Sequence, residues 1–164
     1  MKARLSVVLS VVFLALWAGL AFAEQKGSIE LTAVAEKEAV VTDAHGKAVK
    51  KLVPAGKVLP GDEIVYSVLY KHVGDKPAEN VVIDNPIPEH MVYVDGSAEG
   101  RDAAITFSVD GGKTYRPAKG LTVKGPDGKP RPATAADYTG VRWTLKKPLK
   151  PRESGRVSFR ARLK

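Results

Sequence analysis

Val58-Leu59-Pro60-Gly61-Asp62-Glu63-Ile64-Val65-Tyr66, continued by Asn80-Val81-Val82-Ile83-Asp84-Asn85-Pro86-Ile87-Pro88, is the stretch that decides the fold. Pro60-Gly61 suits the centre of a type II turn, because proline presets φ at the first position and glycine accepts positive φ at the second. The strand that follows puts Ile64, Tyr66, Val68 and Tyr70 on one face. Val65 and Leu69 lie on the other, beside Ser67 and Lys71. Apolar residues on both faces mark a central strand, partly covered on its second side. Gly74-Asp75-Lys76-Pro77 turns the chain, and Val81 and Ile83 mark a short strand. Pro86 and Pro88 cannot donate ladder bonds, so the chain leaves the sheet there.

The same grammar extends in both directions. Upstream, Ile29, Leu31 and Ala33 alternate with Glu30, Thr32 and Val34. Val40-Val41 and Val49 to Val53 flank Asp43-Ala44-His45-Gly46-Lys47, which is hairpin chemistry. Downstream, Val92 and Val94 begin a strand that Asp95-Gly96 ends, and Ile105, Phe107 and Val109 form another before the turn Asp110-Gly111-Gly112. Leu121 and Val123 precede a proline- and glycine-rich loop from Gly125 to Pro132. Thr134 is placed to cap one helical turn over Ala135-Ala136-Asp137. Val141, Trp143 and Leu145 alternate cleanly, as do Val157, Phe159, Ala161 and Leu163, and Trp143 is expected in the core opposite Tyr66. Short strands, turn residues between them and no long 3.6-residue period predict an all-β sandwich with no internal repeat.

The N-terminus reads as an address. Lys2 and Arg4 precede an almost wholly apolar run from Leu5 to Leu20, and Ala21-Phe22-Ala23 is a small-x-small site followed by Glu24. That layout predicts a secretory signal peptide over residues 1–23, cut after Ala23. The alternative, an uncleaved anchor, has an apolar run slightly short of the roughly 20 residues a spanning helix wants. Residues 24–164 then form one domain with a hairpin insertion near 38–56, in the periplasm or outside the cell, and with no membrane span after cleavage. The chain carries a net charge of +8, which falls to +6 without Lys2 and Arg4. Export argues against nucleic acid as the partner of that charge and towards anionic envelope polymers or lipid headgroups, although solubility alone is the plainer account. The chain has no cysteine. That excludes a cysteine-linked lipid anchor, thiol catalysis, disulfides and cysteine-rich zinc sites.

Val58-Leu59-Pro60-Gly61-Asp62 with Tyr66, Gly74-Asp75-Lys76-Pro77-Ala78-Glu79-Asn80-Val81-Val82-Ile83-Asp84, and Pro88 with Met91-Val92-Tyr93-Val94-Asp95-Gly96-Ser97 together resemble the conserved-repeat family called domain of unknown function eleven. Leu149-Lys150-Pro151-Arg152-Glu153-Ser154-Gly155, then Val157 and Phe159, is similar to that family's closing turn and strand. The resemblance spans residues 28–163, less typically over 38–56. It implies an immunoglobulin-like Greek-key sandwich of about seven or more strands. Members often stand in repeats on large exported bacterial surface proteins, and the family implies no catalytic residues. The chain departs from the pattern at Lys71-His72-Val73-Gly74, where the family has Asn-x-Gly, and in carrying a single copy.

Ser108-Val109-Asp110-Gly111-Gly112-Lys113-Thr114-Tyr115 fits S-x-D-x-G-x-T-aromatic and looks like the Asp-box hairpin of sialidase propellers. One copy in so short a chain reads as a turn device: the aspartate accepts backbone N–H groups and the glycines supply positive φ. A glycosidase needs two carboxylates about 5–10 Å apart in a cleft, and spacing pairs none of Glu63, Asp84 and Glu89. His45, His72 and His90 lack metal-ligand spacing. His90-Met91 has the donors copper(I) favours without enough of them, and Asp110-Gly111 and Asp127-Gly128 lack the further acids of a calcium loop. No cofactor is therefore expected.

One surface stands out. If Val157, Phe159, Ala161 and Leu163 face inward, Arg156, Arg160 and Arg162 face out, and Trp143 facing inward turns Arg142 and Lys146 out. The two runs are expected to form a hairpin that merges these five residues into a basic, anion-binding face. Charged solvation of an outer sheet face competes with that account. The expected function is a non-catalytic structural or interaction module of the bacterial cell envelope, with binding of an anionic glycan or lipid headgroup as the alternative.

Overall fold

The computed structural model describes residues 28–164, so the signal peptide read over residues 1–23 lies outside the described residues. The strands are β1 (Ile29–Thr42), β2 (Ala48–Pro54), β3 (Glu63–His72), β4 (Val82–Pro86), β5 (Met91–Tyr93), β6 (Glu99–Gly100), β7 (Ala103–Ser108), β8 (Thr122–Lys124), β9 (Pro130–Pro132), β10 (Gly140–Leu145) and β11 (Ser154–Leu163). They build an all-β sandwich from antiparallel sheets. The larger sheet has the order β2-β1-β3-β11-β5, with β6 also on β11, and the smaller has the order β4-β10-β7. Ile64, Val68, Tyr70, Val157, Phe159, Met91 and Tyr93 from the first meet Ile83, Val141, Trp143 and Phe107 from the second in one core.

β3 is central because sequence gives it two usable faces. Ile64, Val68 and Tyr70 are buried against the small sheet, while Val65 and Ser67 are buried on the other side. The entry turn is the type II turn expected: the Asp62 N–H donates to the Leu59 carbonyl at 3.0 Å with Gly61 at φ +92°. The Asp62 carboxylate takes the Leu59 N–H at 2.9 Å and locks the loop. At the other end of β3, the His72 Nδ1 accepts the Gly74 N–H at 3.0 Å. An asparagine oxygen would make the same bond two residues on. His72 thus closes its own turn through the ring nitrogen.

Several sequence expectations change in detail. The hairpin expected near 38–56 is present, with its turn at Asp43–Lys47, but its first arm is the end of a strand, β1, that runs unbroken from Ile29 to Thr42. The proline-rich loop holds a small hairpin, β8 with β9, closed by Gly125 N–H to the Lys129 carbonyl at 2.7 Å. In β5 the inward residues are Met91 and Tyr93. Trp143 is fully buried but stacks on Phe159 at 6.4 Å, and it is Phe159 that meets Tyr66 at 5.3 Å.

The main correction concerns the last two long strands. β10 and β11 do not pair. β10 lies between β4 and β7, and β11 lies between β3 and β5 in the opposite sheet. The link between them is buried at Leu149, whose backbone exchanges two bonds with Ala78 at 2.9 Å each. That bridge carries the chain across the end of the sandwich instead of folding it back.

Candidate functional site

The five residues expected to form one basic face stand on opposite sides of the molecule. Arg142 projects from β10 on the small sheet, and Lys146 follows it. Arg156, Arg160 and Arg162 project from β11 on the outer face of the large sheet. Because β10 and β11 belong to different layers, no surface joins the two groups.

The guanidinium groups are also partnered. Across β10 and β4, Arg142 stands opposite Asp84 in register. It donates Nε to Oδ1 at 2.6 Å and Nη2 to Oδ2 at 2.7 Å. Its other face covers the Tyr115 ring at 4.0 Å, and the Asp84 carboxylate raises its pKa above the ordinary guanidinium value. On the large sheet Arg156 and Arg160 of β11 reach over β3 to β1, and Arg162 stops at β3. Arg156 donates to Ser67 Oγ at 3.0 and 2.6 Å and to Glu36 Oε2 at 2.9 Å. Arg160 reaches Glu38 Oε1 at 2.9 Å, and Arg162 pairs with Glu63. The Arg160 guanidinium, with Lys50 beside it, holds the Glu38 carboxyl below its ordinary pKa. Each of these three arginines therefore has its own carboxylate. The face carries a shallow trough of ≈ 380 Å³ lined by Val65, Leu52, Ser97, Ser158, Arg156 and Arg160. The acidic partners had a sequence signal: Glu36 and Glu38 stand two apart in an alternating strand, as cross-sheet partners must.

The other candidates resolve into local devices. The Asp110 carboxylate accepts Ser108 Oγ–H at 2.7 Å, the Thr114 N–H at 2.9 Å and the Thr114 hydroxyl at 2.6 Å. Those bonds, the Thr114 hydroxyl first, hold its pKa well below the usual carboxylate range. This is the turn expected of the Asp-box pattern, tied also to Thr139, whose hydroxyl oxygen accepts the Gly111 N–H at 3.0 Å. The expected helical turn is a 3-10 turn, Ala135–Asp137. Asp137 takes Arg131 at 2.8 and 2.6 Å and the Thr134 N–H at 2.7 Å, and is likewise held low, chiefly by the arginine. His90 is exposed while Met91 is buried, so the two do not converge on one ion. Among the described residues no group of three or more His, Asp or Glu gathers as a metal site. No helix among the described residues is long and apolar enough to cross a membrane.

No family model matches the chain, and no curated protein matches it.

One feature was not legible beforehand. Leu31 and Ala33 pair with Tyr70 and Val68, so they point to the core side of the large sheet. Yet Leu31 is 55% exposed, and Ala33 is exposed too. The small sheet has only three strands and does not reach under β1. The backbone there is open as well. Ser28 bonds to Val73 across to β3, and Ala35 on the opposite side accepts the Ala55 N–H at 2.9 Å. Antiparallel pairing alternates direction residue by residue. Ile29, Leu31 and Ala33 therefore aim N–H and C=O away from β3, and β2 begins only opposite Glu36. Among the described residues nothing pairs with those groups.

Proposed function

We propose that this protein is an exported, non-catalytic interaction module of the bacterial cell envelope, which docks through the outer edge of β1. The observation that carries the proposal is the combination at Ile29 to Ala33 of outward backbone groups without partners among the described residues and a half-exposed leucine on the overhanging face. Sheet edges of this kind are templates for strand addition, with main-chain bonds supplying affinity and alternate side chains specificity. Exposed apolar surface next to such an edge adds burial to the main-chain bonds. Of the three acids the sequence offers for a hydrolytic site, Asp84 is paired with Arg142 and Glu63 with Arg162, which leaves Glu89 without a second carboxylate from that set. The resemblance of residues 58–97 and 149–159 to a family of exported sandwich domains supports the same role, as does the leader pattern with its Ala21-Phe22-Ala23 site.

The test is photo-cross-linking in living cells. A benzophenone amino acid at Leu31 should yield discrete adducts of the exported protein, and the same probe at the exposed Lys119 should not. Equal labelling at both positions, or none at either, would refute docking through β1. Intact-mass analysis of the exported protein should begin at Glu24, and a full-length chain recovered from membranes would overturn the secretory assignment.

A further inference from the structure

We infer that the occupant of the β1 edge is a second copy of this chain, paired antiparallel about a twofold axis through Leu31. The inference rests on the docking role of β1 and names its partner. Its basis is the self-complementarity of the gap. The free window holds three outward-facing residues, Ile29, Leu31 and Ala33, and is closed at one end by Ala55 on Ala35. Three antiparallel registers pair two or more of these outward residues with one another. Centred on Glu30, the two copies of that glutamate would face each other, which like charges disfavour. Centred on Thr32, Ile29 would have to pair with Ala35, whose carbonyl already holds the Ala55 N–H. Centred on Leu31, Ile29 of one copy meets Ala33 of the other, and Leu31 meets Leu31. Every outward group is then used, giving about six interchain bonds, since each such pair exchanges two. Glu30 faces Thr32 in this register and no like charges meet. The two half-exposed Leu31 side chains cover each other on the overhanging face.

The other edges are guarded in ways that β1 is not. β2 carries Lys50 and Lys51 and ends at Pro54, and β4 ends at Pro86. β5 is three residues long, and β7 is covered where Phe107 and Arg116 exchange two backbone bonds at 2.8 and 2.9 Å. Lysine, proline and short length are how sheets suppress edge-to-edge association. Residues 29–33 of β1 carry a single charge, Glu30, and no proline or lysine.

The chain has no cysteine, so a single introduced thiol reports one contact. On the proposed axis the two Leu31 Cα atoms stand about 5.5 Å apart, inside the span a disulfide bridges, about 4.4–6.8 Å. Leu31→Cys should therefore form a covalent dimer under mild oxidation, at least about tenfold faster than Ala33→Cys or the exposed control Val40→Cys, whose partners lie out of reach. Light scattering of the wild-type protein over a concentration series should approach twice the chain mass. Leu31→Lys should stay at one chain mass while retaining the wild-type circular dichroism spectrum, because the substituted side chain is already half in solvent. Equal oxidation of Leu31→Cys and Ala33→Cys would overturn the register. A wild-type protein that stays at one chain mass would overturn self-pairing. If Leu31 still cross-linked to a different protein in cells, docking through β1 would stand without it. A single chain mass with no adduct would sink both.

Discussion

Replacing Trp143 tests the packing of the core and an imperfection within it. The side chain is 0% exposed and stacks on Phe159, and its indole Nε1 has no hydrogen-bond partner among the described residues. An aromatic side chain of this kind buries about 150–250 Å². At about 25 cal/mol per Å² the gross loss on truncation is about 4–6 kcal/mol. Two terms modify that figure. The cavity left behind adds to the cost, while removal of an unpaired buried donor returns about 1–3 kcal/mol. The expected net cost of Trp143→Ala is about 3 kcal/mol, the low end for such substitutions. Trp143→Phe keeps the stack on Phe159 and discards the orphan N–H, so it should cost only about 1 kcal/mol. Urea unfolding followed by far-ultraviolet circular dichroism separates the two. With a slope of about 2 kcal/mol per M, alanine should lower the midpoint by about 1.5 M and phenylalanine by about 0.5 M. A midpoint unmoved by alanine would refute the burial of this strand face. Equal losses for the two variants would refute the argument from the unpaired indole.

Gly100→Ala should lower stability by about 1–3 kcal/mol in the same assay, as overpacking does, because a Cβ there would stand 2.7 Å from Trp143 Cδ1. Arg142→Lys should cost about 1 kcal/mol, since an ammonium cannot reproduce the two-point grip on Asp84 or the stack over Tyr115; thermal melting measures it. Asp110 and Asp137 have folded pKa values depressed by their hydrogen bonds and, for Asp137, by Arg131. A depressed carboxyl stabilises the fold above its unfolded value of about 3.9 and loses that contribution as pH falls through the folded value. Melting temperature should therefore drop below about pH 4, and Asp110→Asn with Asp137→Asn should flatten that drop while lowering the pH 7 value. Glu36→Gln with Glu38→Gln removes the carboxylates facing Arg156 and Arg160. It should raise retention on anionic lipid vesicles in a salt-sensitive way, and unchanged retention would show that those pairs do not mask the arginines.

Much of the architecture was written locally. The type II turn at Pro60-Gly61, the two-faced β3, the exit at Pro86, the Asp-box turn and the inward alternation of Val157, Phe159 and Ala161 each follow from a few neighbouring residues. Turn chemistry and the two-residue period act within a single strand, so sequence suffices for them. Which strand lies beside which is a different matter. Alternation told that Arg142 and Arg160 both point away from the core, but not that they leave it on opposite sides. The pairing of Ala78 with Leu149 decides that, across a separation in sequence that no periodicity spans. The same holds for Leu31. Its alternation is that of a core residue and its side chain does face the core side, yet the small sheet stops before reaching it. Face is a property of one strand, whereas burial requires a second layer to be present, and only the tertiary structure sets how wide that layer is.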